Sequence, residues 1–182
     1  MAICSRSAEA IEGAAGAIRE ATGAEVVPVV ADMAAPDGPR TFVDAAAEAF
    51  GGLQVIVANS GGPPPSKASE FDEGAWAKAL DGNLVGSVRM ATAALPHLRR
   101  RPWGRIVFLT SLDVKQPIAS LPLSNAARSG LTAYAKSLSS EIAAEGITVN
   151  CLMPGFILTD RIRSLAGAPA GAGLDDPAIE AW

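Results

Sequence analysis

"GRIVFLTS" (104–111) is an apolar run, rich in β-branched and aromatic residues, that ends abruptly on two hydroxyls. Its centre, Ile106 to Leu109, has no polar alternation. A strand with one wet face would alternate, so an uninterrupted run reads as a strand buried inside a sheet. On either side lie longer alanine-rich stretches with helical spacing, near 73–100 and 122–145. The same unit recurs outward. "MAIC" (1–4) precedes a helix near 7–22, "EVVPVV" (25–30) precedes one near 37–50, and "LQVIVAN" (53–59) leads through a Gly/Pro loop to the helix at 73–100. "ITVNCLM" (147–153) closes the series before Pro154-Gly155. Apolar strands alternating with helices predict a parallel sheet covered on both faces: a Rossmann-like, doubly wound α/β fold in one domain spanning 1–182.

Such sheets bind ligands at the C-terminal ends of their strands. The residues just past each run are small or polar there: Ser5 and Arg6, Asp32, Asn59-Ser60-Gly61-Gly62, Ser111, and Pro154-Gly155. Glycine and proline also end strands for purely local reasons, so the weight lies in five loops agreeing.

The bulk composition narrows the classes. The chain has 182 residues, 49% of them hydrophobic, and a net charge of −4, which suits a sizeable core and argues against a nucleic-acid partner. The basic run Arg99-Arg100-Arg101 follows a helical pattern and reads as a solvated cluster at a helix C-terminus. One histidine, His97, and two cysteines, Cys4 and Cys151, leave no metal-ligand spacing. The cysteines fall in strand-like runs and read as small hydrophobes in a reducing cytoplasm. No apolar run approaches the about 20 residues of a membrane span.

Taken in order, several stretches resemble the short-chain dehydrogenase/reductase family. "VANSGG" (57–62) is similar to its Asn-Asn-Ala-Gly stretch, with Asn59 as the second asparagine. "NLVG" (83–86) is similar to its helix asparagine, "GRIVFLTS" to the strand carrying its catalytic serine, and "ITVNCLMPGFILTD" (147–160) to the strand and loop holding the nicotinamide. The resemblance runs from the second strand of that fold to just past its sixth. It implies hydride transfer between a nicotinamide cofactor and a carbonyl/alcohol pair. Ser111 would orient the substrate and Asn83 would support a proton relay. Asn59, Ser60, Gly61, Pro154, Gly155, Ile157 and Thr159 would line the cofactor. The family's long helices, here 73–100 and 122–145, imply a homodimer or homotetramer.

Two departures bear on activity. The family's catalytic tyrosine falls thirteen residues after the serine, on Ser124, and its lysine falls on Arg128. A serine hydroxyl is a far weaker acid than a phenol, and arginine cannot release a proton at neutral pH. Ser124 would then act in the tyrosine's place through a water, and Arg128 would hold the ribose. Tyr134 and Lys136 are two residues apart, on different sides of a helix, and Tyr134 lies nearly three turns beyond Ser124. Tyr134 is expected to pack against the sheet or a subunit. The second departure is larger: the family's first strand and glycine-rich turn, the pyrophosphate cradle, find no counterpart, and neither does its last strand. The chain therefore reads as the middle of a longer protein, with a gap where the first strand would lie.

For the cofactor, Ser5 and Arg6 offer a hydroxyl and a cation suited to a 2′-phosphate, which points to NADP with NAD as the alternative, the plainer reading being a solvated Arg6 with Ser7 capping the next helix; Asp32 is similar to the family's adenine-contacting aspartate and equally suits a helix or turn cap. Two functions stay open. One is an NADP-dependent oxidoreductase with an altered proton donor. The other is an inactive, truncated homologue that keeps only its association helices.

Overall fold

The computed structural model describes residues 1–181. Five parallel strands form: β1 (Ala2–Ser5), β2 (Val27–Val30), β3 (Val55–Ala58), β4 (Gly104–Leu109) and β5 (Ile147–Leu152). Between and after them come α1 (Ala8–Thr22), α2 (Gly38–Phe50), α3 (Glu73–Leu80), α4 (Gly86–Leu98), α5 (Pro122–Ile142), α6 (Asp160–Ala166) and α7 (Pro177–Glu180). This is the expected doubly wound α/β order, and helix ends follow the local chemistry. Ser7 caps α1 by accepting from the Ala10 amide, and Asp72 caps α3 by accepting from Ala75. Gly23 and Gly51 close α1 and α2 in the left-handed conformation.

The strands make two sheets. β1 pairs with β2, and β3, β4 and β5 pair in that order. The open edges of β1 and β3 both line a cavity of about 570 Å³, walled by Met1, Ile3, Cys4, Phe42, Val57 and Met90 among others. The gap expected at the first strand is therefore present as an apolar slot between two unpaired sheet edges.

The core lies on one side of the larger sheet. Ile56, Ile106, Phe108, Ile147 and Val149 pack there against Leu98 of α4 and Leu131, Leu138 and Ile142 of α5. Phe108 and Ile106 are fully buried. Both faces were expected to be covered. The other face is bare among the described residues: Val55 and Val57 are each 50% exposed and Leu152 is 56% exposed. The uninterrupted runs are therefore apolar on a face that this chain leaves open.

The helix expected at 73–100 is broken in two. A π-helical turn at Asp81–Val85, closed by the Gly86 amide donating to Asp81 O, inserts one extra residue between α3 and α4. It turns Asn83 inward, where the side chain is 4% exposed and its Nδ2 donates to Ala79 O at 3.2 Å. Gly86 allows this. A Cβ there would lie 2.1 Å from Met33 O in the loop after β2. Gly86→Ala is expected to cost about 1–3 kcal/mol through forced backbone movement, measured by urea unfolding.

The arginine run lies at the end of α4, with Arg99 and Arg100 exposed as expected, and two of its members are also paired. Arg99 Nε and Nη2 grip the Glu145 carboxylate at 2.6 and 2.9 Å, and Arg101 donates to Gly51 O at 2.7 Å. His97 Nε2 lies 3.6 Å from Asp44 of α2. Both cysteines are unpaired and half-buried, and burial pushes both thiols up. Among the described residues no helix is long and apolar enough to cross a membrane.

Candidate active site

β4 ends at Leu109, and Thr110 continues the sheet by donating its amide to Leu152 O at 2.9 Å. The chain then turns sharply through a short 3₁₀ helix, Leu112–Val114. Ser111 caps that turn: its Oγ accepts from the Asp113 amide at 3.3 Å. The Leu112 amide donates to Pro154 O at 3.1 Å, which fastens the turn to the Pro-Gly loop after β5. The turn drives Asp113 inward, leaving it 1% exposed.

Opposite the turn runs the first half of α5. Ser124 donates its hydroxyl to Asp113 Oδ2 at 2.8 Å and accepts from Arg128 Nε at 3.2 Å. The i, i+4 spacing of Ser124 and Arg128 makes that second contact possible. Arg128 reaches further. One terminal nitrogen donates to Leu109 O at 2.8 Å and Thr110 O at 3.3 Å. The other donates to Ser60 O at 3.3 Å and Asn83 Oδ1 at 3.2 Å. A guanidinium has five N–H bonds, and all five are taken. Arg128 thus ties together the ends of β3 and β4, the π-helical turn and α5. Burial lowers its pKa; Asp113 opposes that shift and Arg161 adds to it. The group stays charged at neutral pH all the same.

Ser111, Asn83 and the Ser124/Arg128 pair come from three separate stretches of sequence, and one hydrogen-bonded network joins them. Ser60 joins it as well, its hydroxyl 3.4 Å from Asn83 Oδ1. The ribose contact expected of Arg128 would require it to give up one of its five bonds. Ser124 likewise directs its only proton at Asp113 rather than outward.

The remaining predicted residues lie around this network or across the slot. Ser5 Oγ accepts from the Ser7 amide at 3.3 Å, and Arg6 is exposed beside it. Asp32 Oδ1 accepts from the Ala34 amide at 2.9 Å, so its carboxylate holds its own turn. Asn59 and Gly61 are exposed at the end of β3, with nothing within 4 Å of where a Gly61 Cβ would be. Gly155 and Ile157 are exposed beyond β5, Pro154 is half-buried, and Thr159 caps α6.

Three residues were missed. Asp113 is the acid that a buried arginine requires, two places after Ser111, and that need is the signal that could have found it. Asn125 braces the loop before α5 through Ile118, donating to its oxygen at 2.9 Å. Arg161 donates to Pro63 O and so ties α6 to the proline loop. Tyr134 packs edge-on against Phe108, ring centroids 6.1 Å apart at 67°, as expected of a sheet-packing residue. Tyr134→Phe is expected to change stability by no more than about 0.5 kcal/mol, measured by thermal unfolding.

A parallel α/β sheet with its polar network at the C-terminal end of the strands defines a Rossmann-like, dinucleotide-binding class of fold. The family model described as "short chain dehydrogenase" matches residues 1–168. The chain belongs to the short-chain dehydrogenase/reductase family. It is 30% identical over 164 residues to dehydrogenase/reductase SDR family member 4 of Oryctolagus cuniculus, covering 90% of this chain and 63% of that protein. L-sorbose reductase of Gluconobacter frateurii, solved with NADPH and L-sorbose, superposes with a TM-score of 0.86 at 28% identity, covering 91% of this chain and 63% of that one. An NADPH-bound short chain oxidoreductase of Pseudomonas aeruginosa containing an atypical catalytic center gives 0.84 at 28% identity, covering 90% and 64% respectively. The chain thus spans somewhat under two thirds of the length of these relatives.

Proposed function

We propose that this chain forms the central part of an NADP(H)-dependent oxidoreductase that interconverts a carbonyl and an alcohol. The observation that supports this reading is the network of Ser111, Ser124, Arg128 and Asn83, with Asp113 at its centre. Loss of function would leave no reason for four separated segments to converge on one buried ionic cluster.

The residues present fit part of a dinucleotide. Ser5 and Arg6 offer a hydroxyl and an exposed cation for the 2′-phosphate, and Asn59 to Gly61 leave an open approach to the backbone. NAD is the alternative. The bound cofactor supplies the hydride. The chain's own part is to hold the carbonyl oxygen near Ser111 and to manage the proton through Ser124. No glycine-rich phosphate turn occurs in the sequence, so the 182-residue chain alone is expected to bind NADPH weakly or not at all. Calorimetry showing low-micromolar affinity for the chain alone would contradict that.

The second reading, an inactive homologue, is favoured by one observation: Arg128 has all five donors committed to protein acceptors. Turnover separates the two readings. NADPH-dependent reduction of a carbonyl, or NADP-dependent oxidation of an alcohol, by the complete protein supports the enzyme; NADPH binding without turnover supports the inactive homologue.

Association through α3–α4 and α5 into a dimer or tetramer belongs to the same proposal. The outer side of α5 presents Ala126, Ser129, Ala133 and Ser137, which are exposed and small enough for helices to approach closely. Light scattering on wild type and Ala133→Arg tests it, with loss of the assembly expected in the variant. A cytoplasmic location suits the two free thiols.

A further inference from the structure

We propose that Asp113 is the proton acceptor behind Ser124, so that the site takes a proton from an alcohol through Ser124 Oγ onto Asp113 Oδ2. This rests on the oxidoreductase reading and extends it to a residue that the family pattern does not assign.

The geometry of one hydroxyl carries the inference. A serine hydroxyl has one hydrogen and two lone pairs. The hydrogen of Ser124 is directed at Asp113 Oδ2, 2.8 Å away. One lone pair accepts from Arg128 Nε at 3.2 Å. The second lone pair is left to accept from an incoming alcohol. In this arrangement Ser124 is set to receive a proton rather than to offer one, and it is set to pass its own to Asp113.

The balance is simple. The alcohol O–H proton moves to Ser124 Oγ while the Ser124 proton moves to Asp113 Oδ2. The O–H electron pair becomes the second bond of the carbonyl, and the carbinol C–H pair departs as hydride to NADP. The products are a carbonyl compound, reduced cofactor and a neutral Asp113 carboxylic acid. Reduction is the same path reversed, starting from the protonated carboxyl.

Two further features suit Asp113 to this task. Its Oδ1 is buried and has no hydrogen-bond partner among the described residues. That oxygen is an acceptor position the protein leaves open beside the Ser124 hydrogen bond. Arg128 on α5 is the charged group acting on it. Arg161 of α6 acts on Arg128 in turn, and Lys115 on the same turn is exposed. Because Arg128 is pinned by five bonds, the cation cannot swing away as the proton moves. Ser124 is the catalytic residue here, and Asp113 acts through it.

The first test needs no substrate. In the 182-residue chain, Ser124→Ala and Asp113→Asn are each expected to lower the urea midpoint, and the double variant is expected to lose clearly less than the two losses added. Additive losses mean that the two side chains do not share the hydrogen bond, and they overturn the relay. If Asp113→Asn does not fold, additive losses in the cycle of Ser124→Ala with Asp113→Glu overturn it too. In the complete protein, Asp113→Asn is expected to slow alcohol oxidation by roughly 10²–10⁴-fold, with NADPH affinity retained and the pH profile of kcat/KM flattened. Oxidation at the wild-type rate and pH profile overturns the proposal. Wild type that neither binds NADPH nor turns over overturns the parent reading, and the relay falls with it. A failed coupling test beside intact turnover overturns the relay alone.

Discussion

Arg128→Ala is expected to destabilise the chain by about 3–5 kcal/mol, the usual result of removing one partner from a buried ionic network. The substitution strips hydrogen bonds from Leu109 O, Thr110 O, Ser60 O, Asn83 Oδ1 and Ser124 Oγ at once. It also leaves Asp113, 1% exposed, without the cation that balances it. Arg128→Lys should lose less, about 1–3 kcal/mol, because the charge stays but three donors on one nitrogen cannot span five acceptors. Urea unfolding of the three proteins measures both. A loss below about 1 kcal/mol for the alanine variant would mean that the guanidinium is not the tie between these segments.

The same geometry bears on restoring the usual residues of the family. Ser124→Tyr would place a phenol where a 5% exposed serine already sits 2.8 Å from a carboxylate. Arg128→Lys would loosen the tie in the same stroke. The pair is one unit with Asp113, and exchanging two of its three members is expected to impair folding as well as chemistry.

Hydrogen exchange is expected to divide the molecule at the slot. β1 and β2 form a two-stranded sheet of four-residue strands, separated from β3 by the cavity. Two strands without a third are marginal in water, and their remaining support comes from packing against α1 and α2. Amides of Val27 to Val30 should therefore exchange about a hundredfold faster, or more, than those of Ile106 to Phe108. The latter sit in the middle strand of three, against the packed faces of α4 and α5. Equal protection on the two sides of the slot would show that the halves open together.

The fold was legible because its signal is simple. Five apolar runs separated by helical spacing allow few other readings, and each run became a strand. The gap was legible for the same reason, since the expected first strand has no counterpart. The bare face of β3–β5 was not. An apolar run records how a strand is suited to be buried, not what is present to bury it, so Val55 and Val57 read as interior and lie half-exposed. The π-helical turn escaped notice too, because "LDGNLVG" (80–86) keeps helical spacing and the extra residue shows only in the backbone. At the site, the family resemblance placed Ser111, Ser124 and Arg128 together. It could not say that Arg128 would spend every donor on the protein, because its acceptors are mostly backbone carbonyls from distant segments. Asp113 hid in a short turn where an acid is unremarkable, until burial makes it the counter-charge.

The central claim is that this network is a working, altered proton-transfer site. The most direct measurement is cofactor-linked turnover by the complete protein over a panel of alcohols and carbonyls, beside Ser124→Ala and Tyr134→Phe. The account predicts turnover with NADP(H) in wild type, retained in Tyr134→Phe and lost in Ser124→Ala. NADPH binding with no turnover in any of the three, or equal turnover in wild type and Ser124→Ala, would contradict it.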